Sequence, residues 1–258
     1  MSIYQDKFTV LIQGPVNQSS YQNIDNYLKY GKVVISYWNN EGCFTKKPPK
    51  LANVSAYGYP LPDINKTVGA LKDSTFYYAI CSMYNGLKHV DTEYVVKTRS
   101  DEFYEDLTPF IDKFLENEEN IVCGNIFVRK DIAYHIGDHI FVCKTQTILN
   151  AVTMLKNFYE QKVDESSGVP KIIRCPYWAI QKNSCAEVIL AKAILKAKKV
   201  KMNKDWKDIF VENFYVVDIN LTKRFLACWQ HAGKKYSNQF INQHGVQCME
   251  DFINGCGS

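Results

Sequence analysis

Apolar positions in this chain fall into short runs separated by polar segments with helical spacing. "FTVLIQGPV" (8–16) predicts an apolar strand stopped by Gly14-Pro15. In "SSYQNIDNYLKYGK" (19–32), Tyr21, Ile24, Tyr27 and Leu28 recur at helical spacing, with serine at the start and Gly31 at the end. "KVVISYW" (32–38) is a second strand, so strand, helix and strand follow within about 30 residues, the mark of a βαβ unit with parallel strands. "LANVSAYG" (51–58) predicts a third, shorter strand. "LKDSTFYYAICSMYNGLKHV" (71–90) predicts a helix packed through Phe76, Ile80, Met83 and Leu87, and "EYVVKTR" (93–99) a core strand. "LTPFIDKFLEN" (107–117) reads as a helix with Pro109 near its first turn.

Further on, "NIVCGNIFVR" (120–129) is strand-like. "DHIFVCKTQTILNAVTMLKNFYEQ" (138–161) begins as a strand and becomes a helix around Thr145. "SCAEVILAKAILKAK" (184–198) is helical and "ENFYVVDINL" (212–221) is a late strand. This alternation predicts an α/β fold, a sandwich of helices around a mostly parallel sheet. Ligands of such sheets bind beyond the carboxyl ends of the strands. Those ends are Gln13-Gly14-Pro15, Trp38-Asn39-Asn40 and Arg99-Ser100-Asp101.

Composition changes the picture little. The 258 residues are 46% hydrophobic and 22% charged, ordinary globular values. A net charge of +4 is too small and too dispersed to predict nucleic-acid binding. The nine cysteines form no C-x-x-C pair, which speaks against a structural zinc site of that kind and for free thiols in a reducing compartment. "MSIYQDKFTVLIQGP" lacks the basic and apolar regions of a signal peptide, and no apolar run approaches the roughly 20 residues that span a bilayer. A soluble, cytoplasmic protein is expected. G-x-G-x-x-G, G-x-x-x-x-G-K-[ST] and G-x-S-x-G are absent, so nicotinamide-binding, P-loop and α/β-hydrolase readings lose support.

Candidate chemistry gathers at the strand ends. Asp101 and Glu102 offer carboxylate oxygens to a hard divalent cation that could bridge phosphates. Lys97 and Arg99 could pair with phosphate directly, and Trp38 could flank a ring. Polar residues also collect wherever strands meet water, so any one strand end is better explained as an ordinary solvent edge. In "AYHIGDHIF" (133–141), Asp138 could act as a base or accept from a sugar hydroxyl. His139 could do either or ligate metal, and a capped polar loop accounts for both equally well. Glu187 completes an S-x-x-E capping box with Ser184 or aims a carboxylate into a cleft. His231, in "ACWQHAGKKY", could close over a metal-diphosphate or lie in a solvated loop.

Taken in order, "IQGPV", "VISYW", "S-x-x-x-GL" (82–87), "YVVKTRSDEF" and "GDHIFVCK" resemble the WavE-type lipopolysaccharide biosynthesis family, over roughly residues 8–200. These look like glycosyltransferases of the GT-A class. The resemblance implies one domain over 1–258, with a nucleotide-binding part to about 118 and an acceptor-side part beyond it. It implies a nucleoside-diphosphate sugar donor, a glycan or lipid-linked acceptor, and a divalent metal, usually manganese, with magnesium as the alternative. By position, Asp101 is the metal carboxylate; Glu102 and His231 are further metal candidates from the residues themselves. Gln13, Gly14, Pro15 and Trp38 line the nucleotide end, and Asp138 and His139 face the donor sugar or acceptor. Asp138 is the first choice for catalytic base and Glu187 the second. The family's usual D-x-D reads R-S-D here, so Arg99 stands in the first acid's place. Either Asp101, alone or with Glu102, holds a metal, or Arg99 itself answers the diphosphate charge. A non-catalytic nucleotide- or glycan-binding module on the same fold is the competing class.

Overall fold

Each core strand carries apolar side chains on both faces, and both faces are covered. The computed structural model describes residues 4–14, 24–39, 52–62, 74–126, 128–160, 185–223, 225–227, 248–250 and 253. Its main sheet has seven strands: β1 (Phe8–Gln13), β2 (Lys32–Trp38), β3 (Val54–Tyr59), β4 (Tyr94–Arg99), β6 (Ile121–Gly124), β7 (Phe141–Lys144) and β8 (Phe214–Val217). They lie in the order β3-β2-β1-β4-β7-β6-β8. Along β1, Phe8, Val10 and Ile12 enter one core while Leu11 enters the other. Along β7, Phe141 and Cys143 face one core and Val142 the other. Period-two alternation between two buried faces is why these strands read as unbroken apolar runs.

Helices α2 (Ser74–Leu87), α4 (Thr145–Tyr159), α5 (Ala186–Ala197) and α6 (Trp206–Asn213) supply the first core. The short α1 (Ile24–Tyr27) and α3 (Thr108–Glu116) supply the second, through Ile24, Tyr27, Phe110, Ile111 and Phe114. The expected α/β/α sandwich with a mostly parallel sheet is therefore observed. Among the described residues no helix is long and apolar enough to cross a membrane. Cys81, Cys123 and Cys143 are buried thiols outside any disulfide, and Cys185 and Cys248 are partly exposed thiols outside any disulfide.

Two features went unread in the sequence. Strand β7 runs antiparallel to both neighbours, β4 and β6. Parallel neighbours need a long crossover, usually a helix, and no helix lies between Gly124 and Phe141 among the described residues, so the chain turns back. A separate two-stranded sheet pairs β5 (Glu102–Tyr104) with β9 (Phe225–Ala227). Three residues give too little pattern to reveal a strand, and the pairing closes a long sequence gap.

Asp106 ties this corner together. It accepts from the Thr108 amide at 3.0 Å and the Tyr30 hydroxyl at 2.8 Å, and pairs with Lys223 at 2.8 Å. Burial opposes its ionised form, but these donors outweigh burial and hold the carboxyl well below the usual carboxylate range. A depressed folded value stabilises the fold above the unfolded value of about 3.9 and loses that contribution as pH falls through the folded one. Asp106→Ala is expected to cost about 2 kcal/mol in urea unfolding at neutral pH, since it strands a helix-start amide and a tyrosine hydroxyl. The gap should narrow in the same measurement repeated at acid pH.

Candidate active site at the carboxyl end of strand β4

The antiparallel course of β7 builds the site. Lys97 lies opposite Phe141 and Tyr94 opposite Lys144, so the loop preceding β7 arrives at the carboxyl end of β4. That loop brings Asp138 over Lys97 and His139 onto Glu102, with His135 earlier on the same loop. Gly137 sets its height: a Cβ there would lie 2.0 Å from the Gly124 carbonyl oxygen and 2.7 Å from that of Ile126. The end of β1 joins from the other side. The Ser100 amide donates to the Gln13 carbonyl at 2.9 Å, and Gly14 (φ +120°) leaves room for the Ser100 hydroxyl, which a Cβ would meet at 2.9 Å.

Arg99 and Asp101 form a two-pronged ion pair. Nε donates to Oδ1 at 2.9 Å and Nη2 to Oδ2 at 2.8 Å. Burial works against the ionised form of Asp101, but the adjoining guanidinium and His139 keep its carboxyl below the usual range. Glu102, its carboxylate wholly shielded from solvent, accepts from the Tyr104 hydroxyl at 2.9 Å and meets His139 Nδ1 in a short contact. Arg99 Nε lies 3.7 Å from the same Glu102 oxygen that meets His139. With the carboxylate as acceptor, Nδ1 of His139 carries the hydrogen, and Nε2 is left 3.8 Å from Asp138 Oδ1. Asp138 is partly exposed at 28% of its side chain. Burial raises its carboxyl, yet His139, Lys97 and Arg99 together hold it below the usual range.

The remaining sequence candidates divide. Lys97, expected on phosphate, is 2% exposed, and its ammonium donates to the Asp138 backbone carbonyl over the Phe141 ring. Burial lowers its pKa. As arranged, it supports the loop from beneath, because a core strand position turns its side chain under the loop. Trp38 is buried against α2, edge-on to Tyr78 at 6.1 Å, and so packs the core where a ring-flanking side chain was expected. Gln13 is buried too, its amide donating to the Ala79 carbonyl at 2.9 Å. Glu187 stands apart, in the first turn of α5, whose N-cap is Cys185. Its Oε2 lies 4.0 Å from Nε2 of His135. Pro15, Ser184 and His231 lie outside the described residues.

A hard divalent cation does not fit the β4 end as it stands. Both Asp101 oxygens are taken up by a guanidinium, and Glu102 is turned inward to His139 and Tyr104. Magnesium keeps near-octahedral oxygen coordination, and manganese likewise suits carboxylate, carbonyl and water ligands. A cation placed against Arg99 would face like charge within contact distance. The second acid, a candidate helper to Asp101 in holding metal, is instead the partner of a histidine. Glu102 and Tyr104 sit two apart on one strand face, the one sequence signal that could have linked them.

No family model matches the chain, and no curated protein matches it either. Among solved structures, HddC from Yersinia pseudotuberculosis aligns at 12% identity with a TM-score of 0.32, over 55% of this chain and 79% of that one. The same protein complexed with GMP-PN aligns at 11% and 0.33, over 56% and 79%. An active-site mutant of LgtC aligns at 12% and 0.36, over 58% of this chain and 64% of its own. Likenesses at this level carry no activity over, so function has to be read from the residues themselves.

Proposed function

We propose that this protein transfers a sugar from a nucleoside-diphosphate donor to a hydroxyl acceptor, as a GT-A-type glycosyltransferase. The α/β/α sandwich with a mostly parallel sheet and polar residues gathered at its strand ends is consistent with that class. One observation carries the reading: a loop that the antiparallel strand delivers brings Asp138 and His139 onto the Arg99–Asp101 strand end. That edge pairs a cation able to answer a leaving diphosphate with an imidazole–carboxylate pair able to take an acceptor proton. Charge develops on the leaving oxygen as the glycosidic bond breaks, and a cation fixed in place needs no reorganisation to meet it. Asp101 keeps the Arg99 plane in position. Glu102 orients His139, whose Nε2, with Asp138 beside it, receives the proton of the acceptor hydroxyl. No step requires a metal at this strand end.

The test is a screen of nucleoside-diphosphate sugars by thermal shift and by donor hydrolysis, with chelator and with manganese. Turnover of one donor supports transfer. Stabilisation by nucleotides without turnover on any donor or acceptor favours a binding module, and no stabilisation by any nucleotide sinks both. Arg99→Lys keeps the charge but loses the planar fork. It is expected to weaken nucleoside-diphosphate affinity by about tenfold to a hundredfold in calorimetric titration, the worth of one charged hydrogen bond.

A further inference from the structure

Three metal-ligating side chains meet outside the Arg99–Asp101 pair. His135, Cys185 and Glu187 each offer one ligand atom, and the three atoms lie within 4.8 Å of one another. They come from two distant segments, the loop before β7 and the start of α5. His135 is nearly buried, at 8% of its side chain, while Glu187 keeps 29% exposure, so the cluster has a closed side and an open one. The imidazole Nε2 and the carboxylate Oε2 stand 4.0 Å apart, a separation that two ligands of one cation can hold after a small rotamer adjustment.

The donor types select the ion. A thiolate, an imidazole and a carboxylate suit a borderline cation, whereas magnesium, calcium and manganese prefer oxygen alone. Three protein ligands leave one tetrahedral position for water or a substrate oxygen, the pattern of an open site and not of a closed structural one. The absence of C-x-x-C in the sequence does not bear on it, since its ligands are assembled by packing.

We infer that His135, Cys185 and Glu187 form a binding site for a zinc-class divalent cation, the Cys185 thiol releasing its proton to solvent as the metal binds. The ion would sit on the loop that also carries Asp138 and His139. The site stands whether or not the protein transfers sugar, and its test is read without turnover. Chelator-treated protein is titrated with cobalt(II). The expected result is one cobalt per chain, a near-ultraviolet sulfur-to-cobalt charge-transfer band, visible bands of tetrahedral intensity, and displacement of all of them by zinc. Cys185→Ser should abolish the near-ultraviolet band. Glu187→Gln and His135→Gln should each weaken cobalt binding tenfold or more, with unchanged circular dichroism in all three variants. Absence of a charge-transfer band in the native protein would overturn the site. So would a band that persists in Cys185→Ser, which places the cation on another cysteine, and so would native affinity in both glutamine variants. A thiol–carboxylate hydrogen bond beside a histidine would then be the whole content of the cluster.

Discussion

Glu102→Gln should lower the turnover of the donor by a hundredfold or more while leaving its KM nearly unchanged. The substitution keeps size and hydrogen-bonding shape, so Tyr104 and His139 retain a neighbour, but the negative charge opposite the imidazole is gone. A base that must become imidazolium in the transition state then loses its buried counter-charge. General-base assistance is worth about 10²–10⁴. Orientation and ground-state contacts survive, so the loss belongs in kcat and not in KM. Glu102→Ala is the contrasting variant. It leaves the buried Tyr104 hydroxyl and His139 without their carboxylate and is expected to cost about 3–5 kcal/mol of stability, the penalty for breaking a buried charged pair by removing one partner. Steady-state kinetics on the glutamine variant decide the matter: native kcat would make the Glu102–His139 pair a packing feature and return the base to Asp138.

The second large effect is structural. Gly137→Ala should destabilise the fold by about 3 kcal/mol, at the upper end of what overpacking costs. The added methyl would sit 2.0 Å from one backbone carbonyl oxygen and 2.7 Å from another. Backbone atoms cannot rotate aside as a side chain can, so the whole loop must lift off β6. Against typical domain stabilities of about 5–15 kcal/mol this is a large share. The urea midpoint should drop sharply with little change in slope. Because the same loop holds His135, Asp138 and His139, donor turnover should fall further than the folded fraction does. A native midpoint would show that the loop has slack, and with it that Asp138 and His139 are not held at β4.

Both effects depend on a loop whose sequence, "AYHIGDH", reads equally as a capped solvent turn. The strands themselves were legible because burial on both faces leaves continuous apolar runs. The helices were legible because one-sided burial leaves three- and four-residue spacing. Observed spans such as Lys32–Trp38 and Thr145–Tyr159 lie within the predicted segments. Helix α6 was missed, since "WKDIFVEN" is short and polar on most of its surface. Strands β5 and β9 were missed because three residues show no periodicity.

Local pattern thus determined the sandwich, the mostly parallel sheet and the expectation that chemistry lies at carboxyl ends of strands. It also singled out Arg99, Asp101, Glu102, Asp138, His139 and Glu187 by type. What each residue does was decided by strand order. An antiparallel β7 faces its leading loop to β4, which turns Glu102 from a candidate metal ligand into the partner of a histidine 37 residues away. It also leaves Lys97 under the loop and Asp101 against Arg99. Partnerships across such gaps cost loop-closure entropy that only the packed sheet repays, so no window of sequence contains the information that selects them.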